Sequence, residues 1–192
     1  MKKFCVALTV ALIVTLSSFV EAATFSGEQI QQMLSITAQN PAVKQDKMLK
    51  LNAETFRRNF NAFMINFIRQ TNSGDDAAMM RRVLLIDGTA VTAKNGCDIF
   101  GKNFFGKVMI VGCGETEKNF KVLNFFAAKI ENRDDALFYT LILNGFVKSI
   151  SPDFDAKTLL DKLKKNSVVI RGGVKFSVTK SGNIDIITAT AN

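Results

Sequence analysis

The spacing of apolar residues near the start of the chain predicts two helices. Ser26 and Gln29 match a capping box, in which each side chain satisfies a backbone amide at the first turn of a helix. This helix is expected to end at Asn40-Pro41, because proline disfavours helical geometry in the residue before it. A second helix begins near Asn52. Its apolar positions recur at helical spacing and comprise Phe56, Phe60, Phe63, Met64, Phe67 and Ile68.

Further along, the pattern changes to short β-branched runs separated by turn residues, which is typical of an antiparallel sheet. Residues 72–76 are polar and predict a break before this region. Residues 83–86 and 89–92 predict a hairpin around an Asp87-Gly88 turn, since both residue types tolerate the positive φ angles required there. Residues 108–113 and 120–128 predict a second pair of strands. Between the two pairs, residues 95–106 contain three glycines and predict a loop.

Two further helices are predicted before the end of the chain. Residues 136–150 are apolar on nearly every side, so a buried helix and an inner strand both fit the pattern; their length favours the helix. Residues 155–165 direct leucines to one side and lysines to the other. The lysines suit both a solvated face and the negative end of the helix dipole.

The last residues predict a β-hairpin with a three-residue loop at residues 180–182. This loop would pair Val178 with Ile184 and Phe176 with Ile186. A two-residue loop at residues 181–182 fits less well, because it places an apolar residue opposite an aspartate. The elements together predict an α+β fold: N-terminal helices packed on a mainly antiparallel sheet, two further helices, and a C-terminal β-hairpin.

The first 22 residues have the pattern of a cleaved signal peptide. Lys2 and Lys3 form a charged start, residues 4–20 form an apolar stretch, and Val20-Glu21-Ala22 resembles a cleavage signal. The apolar stretch is interrupted by threonines and serines and is shorter than the roughly 20 residues that span a bilayer. We therefore predict a signal peptide at residues 1–22, a single domain at residues 23–192, and export to the periplasm or out of the cell.

Signal removal also changes the charge and the cysteine content. Without Lys2, Lys3 and Glu21 the net charge is +7 instead of +8, and a basic surface attracts anionic partners. No run of five or more basic residues occurs, however, so solubility is the favoured explanation of the lysines. Cys5 leaves with the signal, and Cys97 and Cys113 are then the expected disulfide of an exported protein. Such a link is worth about 3 kcal/mol through loop closure. A redox pair or a zinc site fits less well, because the spacing is not Cys-x-x-Cys and further zinc ligands are missing.

The absence of histidine limits the chemistry that the chain can perform. It excludes Ser-His-Asp and Cys-His nucleophiles and histidine-based zinc sites. Trp is absent and Tyr139 is the one tyrosine, which argues against carbohydrate and nucleic-acid binding by stacking. Acid–base catalysis by carboxylates stays open, although each pair also fits a cap, turn or solvated loop. The pairs are Asp75/Asp76, Glu115/Glu117, Asp134/Asp135 and Asp153/Asp155.

Two segments are candidate binding surfaces. The Phe-rich helix could line a pocket for an apolar ligand with Phe56, Phe60, Phe63 and Phe67, although burial against a core explains the same pattern. The glycine-rich loop could bind an anion or a partner through Lys102, Phe104, Phe105 and its backbone amides.

The function expected from these patterns is that of an exported, non-enzymatic binding or interaction protein of the bacterial cell envelope. Its partner would be an apolar small molecule, an anionic envelope polymer or another protein. No cofactor, metal site or nucleic-acid motif is indicated, and no transmembrane segment is expected after signal cleavage. Two alternatives remain open: a carboxylate-dependent envelope hydrolase, and a structural or assembly component.

Overall fold

The computed structural model describes residues 24–71, 74–87, 91–94, 97–115 and 118–192. The predicted signal peptide and its cleavage site lie outside these residues, so export stays a prediction. Gly88 of the predicted Asp87-Gly88 turn also lies outside them. None of the helices in the described ranges is long and apolar enough to cross a membrane.

The described elements alternate between groups of helices and groups of strands. The α-helices are α1 Gly27–Ala38, α2 Ala53–Thr71, α3 Gly74–Leu84, α4 Arg133–Ile150 and α5 Ala156–Asn166, with a 3-10 helix at Pro41–Lys44. The strands are β1 Val91–Lys94, β2 Cys97–Phe104, β3 Val108–Gly114, β4 Phe120–Ala127, β5 Val168–Arg171, β6 Val174–Ser181 and β7 Ile184–Ala191.

All these strands belong to one sheet in the order β1-β2-β3-β4-β7-β6-β5. Every neighbouring pair is antiparallel. The chain runs twice through a helix pair followed by a meander of strands, first α2 to β4 and then α4 to β7. The two halves meet where β4 pairs with β7. β1 and β5 are therefore the two edges of the sheet.

Helices cover the sheet on both faces. The larger apolar cluster joins α2, α3, α4 and α5 to one face and includes the fully buried Phe56, Phe125 and Phe146. The smaller cluster joins α1 to the other face and includes Met33, Val111 and Phe126. The α+β fold predicted from the sequence is confirmed, with N-terminal helices on an antiparallel sheet, two further helices and a C-terminal hairpin.

Local capping signals fix the helix starts where the sequence placed them. The Ser26 Oγ accepts the Gln29 amide at 3.2 Å, and the Gln29 side chain accepts the Ser26 amide at 2.8 Å. Asn132 caps α4 by accepting the Asp135 amide at 2.8 Å. The segment 136–150, which fitted either a helix or a strand, is helical within α4.

One helix was not predicted. Residues 74–84 form α3, so the predicted polar break at 72–76 and the strand at 83–86 are wrong where the structure describes them. Met80 and Leu84 are buried at a four-residue spacing that fits a helix and not a strand. Aspartates at the start and arginines at the end suit the dipole of this helix.

The predicted loop at residues 95–106 is also wrong, because residues 97–104 form strand β2. β2 pairs with β3 along its length, with Gly101 opposite Val111. Cys97 and Ile99 face the α1 cluster, whereas Phe100 and Phe104 face the larger cluster. Because both faces are apolar, the strand lacks the polar alternation by which a half-buried strand is recognised.

The C-terminal hairpin is present, but both registers considered from the sequence are wrong. Val178 pairs with Ile187 and not with Ile184, and Phe176 pairs with Ala189 and not with Ile186. The loop consists of residues 182 and 183, and its first residue, Gly182, has a φ of +57°. β7 is apolar on both faces: Ile184 and Ile186 face α1, whereas Ile187 and Ala189 face the larger cluster. A register chosen for one apolar face therefore fails.

Candidate binding surface

The Phe-rich helix α2 packs its rings into the core. Phe56 and Phe60 are fully buried, and Phe56 contacts Phe100, Phe120 and Phe146 at centroid distances of 5.7–6.4 Å. Phe63 and Phe67 are half-buried against the same cluster. A ligand could reach Phe56 and Phe60 only if α2 separated from the sheet.

The residues of the predicted binding loop lie at the end of β2. Phe104 is buried and packs 5.6 Å from the Phe60 ring, so the two predicted binding segments meet inside one core. The Lys102 ammonium lies 5.9 Å from the Phe104 ring. Phe105 has a φ of +54° in the turn to β3 and contacts Phe138 edge-on. Packing inside the protein therefore accounts for the presence of Phe104 and Phe105 in this segment.

The disulfide joins Cys97 and Cys113 across the neighbouring strands β2 and β3. The two Cα atoms are 5.8 Å apart, and both side chains are buried in the α1 cluster. This link stabilises the scaffold and leaves no free thiol at either position.

Of the described members of the candidate carboxylate pairs, some cap helices or form ion pairs and others lie exposed at the surface. Asp75 and Asp76 lie exposed in the first turn of α3, and Asp155 caps α5. Hydrogen bonds from the Thr158 amide and hydroxyl lower the pKa of Asp155. The ion pair with Lys118 lowers the pKa of Glu115. Glu117 lies outside the described residues. In the described ranges, no group of three or more His, Cys, Asp or Glu side chains could hold a metal.

One carboxylate forms a buried ion pair. Lys107 Nζ and Asp135 Oδ1 are 2.6 Å apart, and the two residues are only 9% and 6% exposed. The Asp135 carboxylate lies in the first turn of α4, where the helix dipole favours a negative charge. Tyr139 lies nearby on α4, and burial raises the pKa of its hydroxyl. The pair links the β2–β3 turn to α4 and has the geometry of a structural contact.

Among the described residues, two open clefts lie beside the sheet. The larger, of about 380 Å³, lies between residues 47–51, Ile150 and the Gly172–Gly173 turn, and Lys47 and Lys50 are at its rim. The smaller, of about 270 Å³, is lined in part by Phe25, Lys107 and Glu131. Neither cleft is lined by two carboxylates, so neither has the facing acids that glycoside hydrolysis requires.

The strongest charge asymmetry lies in the basic C-terminal unit, which we define as α5 and β5–β7, residues 156–192. This unit has seven Lys or Arg and two Asp, a net charge of +5. All seven cations are exposed: Lys157, Lys162, Lys164, Lys165, Arg171, Lys175 and Lys180. Of these seven cations, only Lys180 forms an ion pair within the described ranges, with Asp185 at 3.2 Å.

The edge strand β5 runs through this unit. Val168 and Ile170 are 39% and 57% exposed, two of the few large apolar side chains that the described residues present to solvent. Sequence reasoning identified Lys164 and Lys165 only as a solvated helix face, and it did not identify Arg171, Lys175 or β5. The available signal was the apolar run at 168–170 between a lysine-rich helix and Arg171.

Comparisons with protein-family models, curated proteins and solved structures find no match for this chain. Its function is therefore argued from this surface alone.

Proposed function

We propose that the protein is an exported, non-enzymatic binding protein that binds an anionic partner through the basic C-terminal unit. The observation that carries the proposal is the set of exposed cations in residues 156–192, six of which have no carboxylate partner within the described ranges. Unpaired cations concentrated on one part of a surface raise the local concentration of anions and accelerate their association. Lys47 and Lys50, at the rim of the larger cleft beside the Gly172–Gly173 turn, extend the positive potential.

Some cations elsewhere in the chain are held in ion pairs. Arg57 pairs with Glu54 at 2.6 Å, and Lys107 pairs with Asp135. In both cases the partner carboxylate neutralises the cation. Six of the seven C-terminal cations have no such carboxylate partner within the described ranges, and one of them, Lys162, contacts an aromatic ring instead, 5.6 Å from the Phe154 centroid.

The test uses poly-L-glutamate as a probe and measures its binding to the mature protein by calorimetry at several salt concentrations. A variant with Lys164→Gln, Lys165→Gln, Arg171→Gln and Lys175→Gln removes four charges from the unit. We expect it to bind at least about tenfold more weakly, and binding by the unmodified protein to weaken as salt screens the charges.

A matched control removes the same number of charges from exposed arginines on α2 and α3. It carries Arg58→Gln, Arg69→Gln, Arg81→Gln and Arg82→Gln. Its affinity should be close to that of the unmodified protein, because these arginines lie outside the basic C-terminal unit. The two variants lose the same number of charges and differ only in where those charges lie. Equal loss in both variants would mean that net charge alone governs binding, and the proposal would then be wrong.

A further inference from the structure

The edge strand β5 has free backbone groups as well as exposed side chains. It pairs with β6 on one side and, within the described part of the chain, with no strand on the other. The β5–β6 loop consists of Gly172 and Gly173, with φ of +57° and +78°. A two-residue loop of this kind makes Arg171 and Val174 a hydrogen-bonded pair.

Hydrogen-bonded and non-hydrogen-bonded pairs alternate along antiparallel strands, so the pairs at Val168 and Ile170 are of the non-bonded kind. The flanking bonds agree: the Val178 amide donates to the Ser167 carbonyl at 3.2 Å, and the Asn192 amide donates to the Gly173 carbonyl at 2.9 Å. The N–H and C=O groups of Val168 and Ile170 therefore point away from β6, towards the open edge.

The side chains of β5 alternate between two environments. Val168 and Ile170 lie on the same face of the sheet as Lys175, the residue of β6 that pairs with Ile170. Val169 is buried in the larger cluster, and Arg171 shares its face at the end of the strand, on the side that α5 covers. A strand added at this edge would place one set of side chains against exposed aliphatic groups. The other set would lie beside Arg171 and the lysines of α5.

The charges select among the strands that could dock here. A second copy of β5 in antiparallel register would bring two basic C-terminal units together, which like-charge repulsion opposes. A lipid surface or a flexible polyanion would satisfy the cations but leave the backbone groups unpaired. An extended acidic peptide satisfies both.

We propose that β5 accepts an extended, acidic segment of another protein as an added strand of the sheet, with acidic residues alternating with apolar ones. This inference rests on the proposed anion-binding function and specifies the partner as a polypeptide. Main-chain hydrogen bonds provide affinity in such strand addition, and the alternating side chains provide specificity.

The test measures fluorescence anisotropy with a labelled eight-residue peptide of alternating Val and Glu. Two control peptides are a block version, four Glu followed by four Val, and an alternating Val and Lys version. The alternating acidic peptide should bind at least about tenfold more tightly than either, because it alone combines the strand pattern with negative charge.

Ile170→Pro is the decisive variant, because proline removes an N–H that points to the open edge and keeps the β6 hydrogen bonds of its neighbours. It should weaken binding of the alternating acidic peptide at least about tenfold while leaving the weaker binding of the block peptide, which lacks the strand pattern, unchanged. Ile170→Thr, which keeps the backbone N–H, should bind the peptide more tightly than Ile170→Pro. Ile130→Ser removes another exposed isoleucine, which lies outside the unit, and this variant should bind the peptide like the unmodified protein.

The outcomes separate this inference from the proposed function. If the block peptide binds as tightly as the alternating one, or if Ile170→Pro binds the peptide normally, strand addition is wrong and anion binding stands. Strand addition of an acidic peptide is also wrong if the protein binds anionic phosphatidylglycerol vesicles and not the peptide. It is likewise wrong if light scattering shows that the protein self-associates and that Ile170→Pro abolishes this self-association. If the four-charge variant binds poly-glutamate normally, the proposed function itself is wrong.

Discussion

The buried pair of Lys107 and Asp135 provides the sharpest test of how this fold is held together. Lys107→Met removes the ammonium and keeps the aliphatic chain length, whereas Asp135→Leu replaces the carboxylate by an apolar group. The double variant removes both charges. Lys118→Met removes one member of the exposed pair with Glu115 and serves as the control.

The magnitudes follow from distance and burial. At 2.6 Å the Coulomb attraction is about 6 kcal/mol with an effective dielectric constant of about 20, and desolvation of the two ions offsets most of it. Removing one partner leaves the other charge buried, which costs about 3–5 kcal/mol. We expect this full cost for Lys107→Met, because the short Asp135 side chain cannot reach water.

The two single variants should differ, because Lys107 also lines the open 270 Å³ cleft. In Asp135→Leu the flexible lysine can turn its ammonium towards solvent, so the cost should fall to about 1–3 kcal/mol. The double variant should lie within about 1 kcal/mol of the unmodified protein, since an apolar pair can replace a buried ion pair.

Urea unfolding at pH 7 of the unmodified protein, the two single variants and the double variant gives the coupling free energy between Lys107 and Asp135 directly. The exposed control Lys118→Met should cost less than about 1 kcal/mol. Additive effects of the two single substitutions, or a cost for Lys107→Met as small as that of the control, would refute the description of this pair as a buried structural contact.

Two further predictions concern the disulfide and the cap of α5. Replacing both Cys97 and Cys113 by Ala should lower the free energy of unfolding by about 3 kcal/mol through lost loop closure. Dithiothreitol should lower the melting temperature of the unmodified protein and not that of the variant. The lowered pKa of Asp155 means that its charged cap adds stability above the ordinary value of 3.8 and that this stability is lost as pH falls through the lowered pKa. Urea unfolding from pH 7 to pH 2.5 should therefore show Asp155→Asn losing less stability on acidification than the unmodified protein; identical pH profiles would contradict this.

The sequence predicts helix starts well because capping is local. The Ser26–Gln29 reciprocal bonds and the Asn132 cap join residues three positions apart, so the side chains that decide the boundary are visible in a short window. α3 was missed although its acidic start and basic end fitted a helix. Its β-branched Val83 beside leucines resembled the start of a strand.

Two of the strands that the sequence misassigned or misaligned, β2 and β7, have apolar side chains on both faces. β3 is buried at every position, and β2 and β7 direct apolar side chains to both clusters. A strand between two layers of helix carries no polar alternation, so its register is fixed by contacts distant in sequence. β3 was still predicted correctly, because its run of β-branched residues ends at glycines.

The candidate binding surface depends on strand pairing in the same way. Ile170 and Lys175 become neighbours only because the Gly172–Gly173 turn pairs β5 with β6. The sequence shows the lysines of α5, but it does not show that β5 is an edge or which of its backbone groups are free. Both facts come from the sheet order.

The uneven covering of the sheet explains why an added strand would fit at β5. On the face of the sheet that carries the α1 cluster, α1 packs against β2, β3 and β4. On the same face, Ser177, Thr188 and Thr190 of β6 and β7 are only half-buried. A strand added beside β5 would extend this open, hydroxyl-rich face away from α1, so its side chains would meet no helix there. On the other face, α5 already covers Val169 and presents its lysines at the rim. The edge thus combines an open face for apolar side chains with a cationic rim for acidic ones, and this asymmetry fixes which face of an incoming strand must carry the acids.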